Sequence, residues 1–317
     1  MTDTKTSLPL QPPLGLFEGQ TSIGDIHKMG DCAFDIDSQR YTVTSARNSA
    51  SETQDVFHYV WKKLKGDFIL TFQADFVGDA RLASKLGWMV RSSLNATSPH
   101  IAACKNGDGQ SSLQFRRVQQ GLTEEMIAPI NNADVIQIER KGNTYIMSVA
   151  PFGMPFTTIQ VADLVLSDEV YAGLFICGQD LARADQAIFQ NVQIVEPAPK
   201  VFNYKTGKLA SNLEILDIQT GQRQVIYQAP YIFEAPNWTL DGKALIYNSG
   251  GQLYHFDLAK REPTLINTSF ANRCNNDHVI SFDGEQLAIS HNRESDGASI
   301  VYTVPIEGGE PKQVTDY

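Results

Sequence analysis

The run Asn272–His278 carries the densest set of reactive side chains, with an arginine, a thiol, carboxamides, a carboxylate and an imidazole. Such a cluster could bind a polar ligand, and His278 would be the natural first ligand of a metal ion because a neutral imidazole is a common metal donor. The candidate ligand-binding residues of this run are Arg273, Asn275, Asn276, Asp277 and His278. In the alternative interpretation, the Asn and Asp side chains satisfy backbone groups of a turn, and His278 packs against a neighbouring repeat.

A second set of candidates lies on neighbouring predicted strands of the front half. A carbohydrate offers apolar ring faces together with hydroxyl groups, so its site combines aromatic side chains with polar groups. Trp88, Gln114 and Arg116 are the candidates for such a face. Gln114 and Arg116 share one side of a strand by alternation. Trp88 and Arg91 point in opposite directions unless a bulge intervenes. The alternative is that Trp88 belongs to the core and the arginines pair with surface acids.

Sequence motifs for catalysis are missing from the chain. The adjacent acids Glu124 and Glu125 would point to opposite faces of a strand. The pattern Glu-x-Asp-x-x-Glu, which would set the paired carboxylates of a retaining glycosidase on one strand face, does not occur. Nucleophile-elbow, zinc-protease, phosphate-loop and dinucleotide-binding motifs do not occur. Asn106–Gly109 could offer oxygen atoms to Ca²⁺, but it has few acidic ligands and is better interpreted as a hairpin turn. We therefore predict no catalytic residue and no cofactor, with Ca²⁺ or another divalent metal as the alternative.

Charge and hydropathy restrict the partners. The net charge of −10 disfavours a nucleic-acid partner, since nothing would offset repulsion from phosphates. The densest basic cluster, Lys62–Lys65, is expected to be a solvated loop. The longest apolar stretch, Val170–Cys177, is too short to span a bilayer. The N-terminus as written lacks an apolar signal segment, which predicts a cytoplasmic protein, or a periplasmic one if that terminus has been processed.

The elements that must position these residues are strands. Period-2 alternation recurs between Gly, Asn and Asp turns, for example in Phe68–Phe76, while helical periodicity is nearly absent. Lys141-Gly142-Asn143 predicts a tight hairpin turn, and Asn106–Gly109 predicts a second one. The chain is therefore expected to be antiparallel and all-β.

The second half of the chain repeats. Two Asp-Gly pairs, at Asp241 and Asp283, lie 42 residues apart, each followed by an apolar strip. A period of about 40–45 residues with four strands per unit is typical of a β-propeller blade. The chain holds roughly two and a half such units, whereas a closed ring needs about four to eight. We therefore expect an incomplete propeller, either part of a longer protein or closed by a homodimer through its open edge.

These repeats resemble the TolB-like propellers over about residues 205–317. The resemblance rests on Thr239–Gly242 and Ser281–Gly284, which stand where the family usually has Ser-Pro-Asp-Gly, and on Ile306–Pro311. Residues 15–196 resemble a concanavalin A-like lectin or glucanase domain. The motifs behind that second resemblance are Gly66–Phe68, Gly87–Arg91, Ser112–Arg116 and Phe189–Val192. The two resemblances imply a sugar-like ligand for the front half and protein partners for the propeller.

The resulting prediction is an all-β chain with a jelly-roll-like β-sandwich followed by two to three propeller blades. Its predicted parts are a flexible N-terminus (1–14), the sandwich (15–196), a proline-bearing linker (197–204) and the partial propeller (205–317). The predicted function is non-catalytic binding or scaffolding, with carbohydrate-like and protein partners. The alternative is a carbohydrate-active enzyme, such as a polysaccharide lyase or a glycosidase, whose channel site near His278 is completed by further blades.

Overall fold

The computed structural model describes residues 14–46, 55–78, 81–178, 183–198, 201–203 and 206–316. Within them the regular elements are β-strands, and all their pairings are antiparallel. The prediction of an all-β chain is therefore confirmed. No helix long and apolar enough to cross a membrane occurs among the described residues. Two compact units are present: one holds residues 14–198 and Leu216–Gln224, and the other holds Val201–Ile215 and residues 225–316.

The sandwich unit contains the first fourteen strands. They are β1 (Gly19–Ile23), β2 (Asp31–Asp35), β3 (Arg40–Thr44), β4 (Phe57–Lys65), β5 (Phe68–Phe76), β6 (Lys85–Arg91), β7 (His100–Asn106), β8 (Gln110–Arg116), β9 (Glu124–Asn131), β10 (Val135–Lys141), β11 (Thr144–Ala150), β12 (Thr157–Val161), β13 (Glu169–Cys177) and β14 (Gln186–Val195).

These strands form two seven-stranded sheets. The first sheet has the order β1-β4-β13-β6-β7-β8-β9, and the second has the order β12-β11-β10-β5-β14-β3-β2. Alternate residues of each strand point into the space between the sheets, as in other β-sandwiches. The core there is rich in aromatic and branched side chains, among them Phe68, Leu70, Phe72, Trp88, Ile101, Leu113, Ile138 and Phe189. The predicted β-sandwich is confirmed.

Local turn chemistry explains the hairpins of this unit. Gly142 has a φ of 57°, a conformation that favours glycine, and its N–H donates to Asp67 Oδ1 at 2.7 Å. The turn between β7 and β8 closes through the Gly109 N–H, which donates to the Asn106 carbonyl at 3.0 Å. Both predicted hairpins are confirmed.

The prediction of a loop at Lys62–Lys65 is wrong, because these residues lie within β4. Residues 62–65 of β4 pair with β13, and this ladder fixes them as extended chain. Alternation turns Leu64 into the core, while Lys63 and Lys65 stay outside and pair with Glu169 at 3.0 and 3.5 Å. Burial of every second residue thus accommodates a locally basic sequence in a strand.

The second unit consists of a strand pair and two four-stranded sheets. The pair is β15 (Ser211–Leu216) with β16 (Arg223–Ala229). The first meander is β17 (Glu234–Trp238), β18 (Ala244–Ser249), β19 (Gln252–Asp257) and β20 (Glu262–Leu265). The second meander is β21 (Cys274–Ile280), β22 (Gln286–Asn292), β23 (Ser299–Pro305) and β24 (Lys312–Gln313).

The two meanders share the same hydrogen bonds in the turn between their first two strands. Asp241 Oδ1 accepts from Thr239 Oγ1 at 2.7 Å and from the Lys243 N–H at 3.1 Å. In the second meander, Asp283 Oδ1 accepts from Ser281 Oγ at 2.5 Å and from the Glu285 N–H at 3.0 Å. The Asp-Gly turns therefore join the first two strands of each meander, as the 42-residue spacing indicates.

Residues 216–224 group with the sandwich unit, although the sequence places them among the repeats. Within that unit, the Asn191 amide donates to the Gly221 carbonyl and accepts from the Arg223 N–H, both at 2.6 Å. Arg40 Nη2 donates to Gln222 Oε1 at 2.7 Å. Side-chain hydrogen bonds thus attach the turn between β15 and β16 to strands far away in sequence.

Candidate functional site: the outer face of the first sheet

Strand register arranges the outer face of the first sheet into cross-strand rows. One row is polar, and its members are Lys63, Tyr171, Arg91, His100 and Arg116. The next row is mostly small or apolar, and its members are Gly19, Trp61, Gly173, Met89, Ala102, Gln114 and Glu125. Adjacent members of a row are separated by one inter-strand spacing, about 4.8 Å. The polar row therefore places the guanidinium groups of Arg91 and Arg116 toward one end and the ammonium group of Lys63 at the other.

Asp55 lies against the inner part of the polar row. Its Oδ1 accepts from Arg116 Nη2 at 2.8 Å, and its Oδ2 accepts from Arg116 Nη1 at 2.9 Å, a paired geometry that carboxylate and guanidinium groups favour. Arg91 Nη2 donates to the same Oδ2 at 3.3 Å. Burial lowers the pKa of His100 to about 4, so this imidazole is neutral at pH 7. The cluster thus holds two buried cations against the Asp55 carboxylate.

The remaining guanidinium donors hold neighbouring loops. Arg116 Nε donates to the Gly121 carbonyl at 3.0 Å, and its Nη2 donates to Thr123 Oγ1 at 3.1 Å. Arg91 Nε donates to the Ser93 carbonyl at 2.6 Å, and the Arg91 guanidinium also donates to the Asn95 carbonyl. The two arginines therefore act as internal anchors, and this end of the outer face is closed.

The other end of the row is open and forms what we name the aromatic platform, made of Trp61, Tyr171, Lys63 and Glu169. The rings of Trp61 and Tyr171 meet edge to face, with centroids 5.0 Å apart. Lys63 Nζ lies 5.5 Å from the Tyr171 ring centroid and 3.0 Å from Glu169 Oε1. The side chains of Lys63 and Glu169 are each 44% exposed, so this charged pair is accessible to a ligand.

Gly19 leaves room for the Trp61 indole to pack against the edge strand β1. A Cβ atom at Gly19 would come within 2.7 Å of Trp61 Cζ2 and within 3.2 Å of two further ring atoms. The indole therefore rests on the Gly19 backbone, where any other residue would push it away. The partly exposed ring beside Tyr171 is the arrangement that an apolar sugar face would stack on.

The sandwich candidates take three different positions. Trp88 is 0% exposed, packed in the core 5.9 Å from Phe72 between ring centroids, and offers no surface to a ligand. Arg116 is buried in the Asp55 cluster. Gln114 is partly exposed on the outer face and donates from Nε2 to Glu125 Oε1 at 2.6 Å. The structure does not bring these three residues together.

Sequence reasoning missed the aromatic platform. A signal existed, because Phe57, Tyr59 and Trp61 alternate along β4 and therefore share the outer face. The pairing of β4 with β13, which brings Tyr171 next to this series, could not be derived from the local pattern.

Most of the Asn272–His278 run lies in a strand, since β21 begins at Cys274. The register between β21 and β22 shifts between Cys274 and His278, and the bulge carries the polar residues. His278 is 8% exposed, with Nε2 3.1 Å from the Ile246 carbonyl and Nδ1 3.2 Å from that of Asn276. A neutral imidazole can donate to only one of these carbonyls at a time.

The other members of the run are also placed by the strand. Asn275 Nδ2 donates to Ser290 Oγ at 3.2 Å, and Asn275 Oδ1 accepts from the Asp277 N–H at 2.9 Å. Arg273, Asn276 and Asp277 are exposed. Among the residues that the structure describes, no group of three or more His, Cys, Asp or Glu side chains is arranged to hold a metal ion. Asn275 thus satisfies a backbone group of the run, while a ligand-binding role for Arg273, Asn276, Asp277 and His278 remains a prediction.

Comparison with known proteins finds relatives for part of the chain. No family model matches it. An uncharacterized protein from Agrobacterium fabrum (strain C58) is 46% identical over 110 residues, which are 34% of this chain and 37% of that protein. The chain thus spans little more than a third of the length of this curated relative.

Two solved structures are each similar to part of the chain. One is a protein from Agrobacterium tumefaciens provisionally described as TolB, which is 44% identical over 34% of this chain and 39% of that chain, with a TM-score of 0.33. The other is the carbohydrate-binding module CBM66 from Bacillus subtilis, which is 18% identical over 57% of this chain and 98% of that chain, with a TM-score of 0.40.

Proposed function

We propose that the chain is a non-catalytic binding protein whose sandwich unit binds a carbohydrate-like ligand at the aromatic platform. The observation that carries this proposal is the partly exposed Trp61 indole, which packs against Gly19 and meets the Tyr171 ring edge to face. Stacking of a sugar ring on an indole uses the apolar C–H face of the sugar and the face of the aromatic ring.

The charged pair beside the rings supplies the polar half of such a site. The ammonium of Lys63 can donate to sugar hydroxyls, and the carboxylate of Glu169 can accept from them. The Lys63–Glu169 pair lowers the pKa of Glu169, which keeps the carboxylate ionised at neutral pH. An aromatic surface flanked by a fixed donor and a fixed acceptor suits a ligand that is apolar on one face and hydroxylated at its edges.

The test is a titration of the full chain with a panel of neutral and acidic oligosaccharides, followed by calorimetry. We expect Trp61→Ala to weaken binding by about two- to tenfold, since loss of an aromatic stacking contact is worth about 0.5–1.5 kcal/mol. Trp238→Ala is the matched control, because Trp238 is a half-exposed tryptophan of the other unit. Equal affinities of the wild type and Trp61→Ala for every sugar that binds would refute the platform.

We further propose that the two meanders are propeller blades and that their unit contacts protein partners. Support comes from the repeated hydrogen bonds of the Asp241 and Asp283 turns and from exposed apolar side chains beside them, Leu240 and Phe282. Apolar groups displayed on a repeated scaffold are typical of protein-binding surfaces.

A further inference from the structure

A groove of about 710 Å³ lies at one end of the second unit, between the two meanders. Four turns enclose it, namely the turns that join β17 to β18, β19 to β20, β21 to β22 and β23 to β24. The lining residues that determine its chemistry are Leu240, Asp241, Asp257, Asp283, Ile306 and Glu307. Because equivalent turns of neighbouring repeats form it, the groove follows from the 42-residue repeat itself.

The floor of the groove is apolar. Leu240, Leu258 and Ile306 line it, and all three are at least partly exposed. Leu240 rests on the second meander: its Cδ1 would lie 3.0 Å from a Cβ atom on Gly284, which has a φ of +78°. A side chain at Gly284 would therefore lift Leu240 and add strain to the backbone. The contact sets the width of the groove where the two meanders meet.

Fixed carboxylates surround this floor. Asp257 Oδ1 accepts from the backbone N–H groups of Ala259 and Lys260, both at 2.9 Å. Asp241 and Asp283 use Oδ1 in the same way within their turns, and from the described residues their Oδ2 atoms accept no hydrogen bond. These turn bonds lower the pKa of all three groups, which are therefore ionised at neutral pH.

The charge of the groove is strongly unbalanced. Four carboxylates line it, including Glu307, against the ammonium group of Lys243. A second ammonium, Lys260 Nζ, lies 3.5 Å from Asp257 Oδ2 and offsets that one carboxylate, so three carboxylates still face one lining cation. The four carboxylates come from four different turns, so the negative charge is spread along the groove. Separated carboxylates around an apolar floor complement a ligand whose cationic groups are separated by an apolar one.

We propose that this groove binds a short extended segment of a partner protein, in which Lys or Arg residues flank an aliphatic side chain. The aliphatic group packs on Leu240 and Ile306, and the cationic groups pair with the carboxylates at the rim. This inference deepens the protein-binding role proposed for the meanders and rests on it. It is independent of carbohydrate binding by the sandwich unit.

The experiment uses the full chain and fluorescently labelled, terminally blocked octapeptides measured by anisotropy. One peptide alternates Lys and Leu, a second alternates Glu and Leu, and a third alternates Lys and Gly. We expect the Lys–Leu peptide to bind best. The double variant Asp241→Asn with Asp283→Asn should weaken the affinity for the Lys–Leu peptide at least tenfold. It should also reduce the salt dependence of binding, since two fixed charges are lost.

Asparagine keeps the Oδ1 acceptor that each turn needs, so the variant retains the turn bonds. The matched control is Glu262→Gln with Glu310→Gln, which removes two exposed charges of the same unit outside the groove. We expect this control to bind the Lys–Leu peptide within about twofold of the wild type.

Three results would contradict the inference in distinguishable ways. If the Glu–Leu peptide binds as tightly as the Lys–Leu peptide, the protein-binding role stands but the acidic groove is not the site. If the Lys–Gly peptide matches the Lys–Leu peptide, or the control double variant weakens binding equally, only general attraction to the net charge of −10 is at work. If no peptide binds, both the groove and the protein-binding role proposed for the meanders are overturned.

Discussion

Asp55 faces two guanidinium groups that have almost no access to solvent, those of Arg91 and Arg116. Burying charges costs several kcal/mol per ion and is tolerated only where the geometry and further hydrogen bonds compensate. Here the compensation is nearly complete for Arg116, whose Nε and Nη donors all reach the carboxylate, backbone carbonyls or Thr123. Arginine is a residue type that often binds ligands, but the surroundings of Arg116 give it a structural role.

At the scale of single residues, we predict that Asp55→Ala strongly destabilises the folded chain. The change leaves both arginines buried without a counter-charge, which costs about 3–5 kcal/mol of unfolding free energy. Urea unfolding followed by circular dichroism measures the loss. Glu124→Gln is the control, because its ion pair with Arg117 is exposed and such pairs contribute little. Equal midpoints for Asp55→Ala and the wild type would show that the cluster is not a structural anchor.

At the scale of elements, the bulge of β21 shows how one meander fixes the next. The Asn248 Nδ2 of the first meander donates to the carbonyls of Cys274 and Asn275, at 3.3 and 2.8 Å. Asn237 Nδ2 reaches the His278 carbonyl at 3.1 Å. These carboxamides take up backbone acceptors at the point where the β21 ladder shifts its register. The irregular strand is therefore stabilised by its neighbour.

We predict that Asn248→Ala destabilises the second meander, because two carbonyls would lose a buried donor. The expected cost is about 1–3 kcal/mol, and it should appear as faster amide hydrogen exchange in β21 and β22. Asn212→Ala is the control, since Asn212 is exposed and accepts a hydrogen bond from Gln228 Nε2 within the β15–β16 pair. Unchanged amide hydrogen exchange in β21 would mean that the bulge persists without the Asn248 hydrogen bonds.

At the scale of the whole molecule, the second meander exposes an apolar side chain whose equivalent in the first meander packs against a neighbour. Leu240 rests on Gly284, whereas its counterpart Phe282, 42 residues later, is 105% exposed. Val279, on the adjacent strand, is also largely exposed. Exposed aromatic and aliphatic side chains are common at association surfaces of proteins. The homodimer expected from the sequence remains a prediction, and this face is where we place it.

We predict that the chain self-associates with increasing concentration and that Phe282→Ser shifts it toward the monomer. Sedimentation velocity over a hundredfold range of concentration measures the change. Leu122→Ser is the matched control, because Leu122 is 85% exposed but belongs to the sandwich unit. If wild type and Phe282→Ser sediment identically at all concentrations, the second meander is not the contact face.

The sequence by itself determined the strands, the hairpins and the repeat. These features depend on alternation within a few residues and on turn bonds such as those of Asp241 and Asp283, which close over two to five positions. Only the tertiary structure decided which side chains face solvent. Trp61 and Tyr171 are more than a hundred residues apart and meet because β4 pairs with β13, while Trp88 and Arg116 are buried by sheets and loops that close over them. Exposure depends on strand order and register across the whole sheet, and neither is encoded in the local pattern that makes each strand.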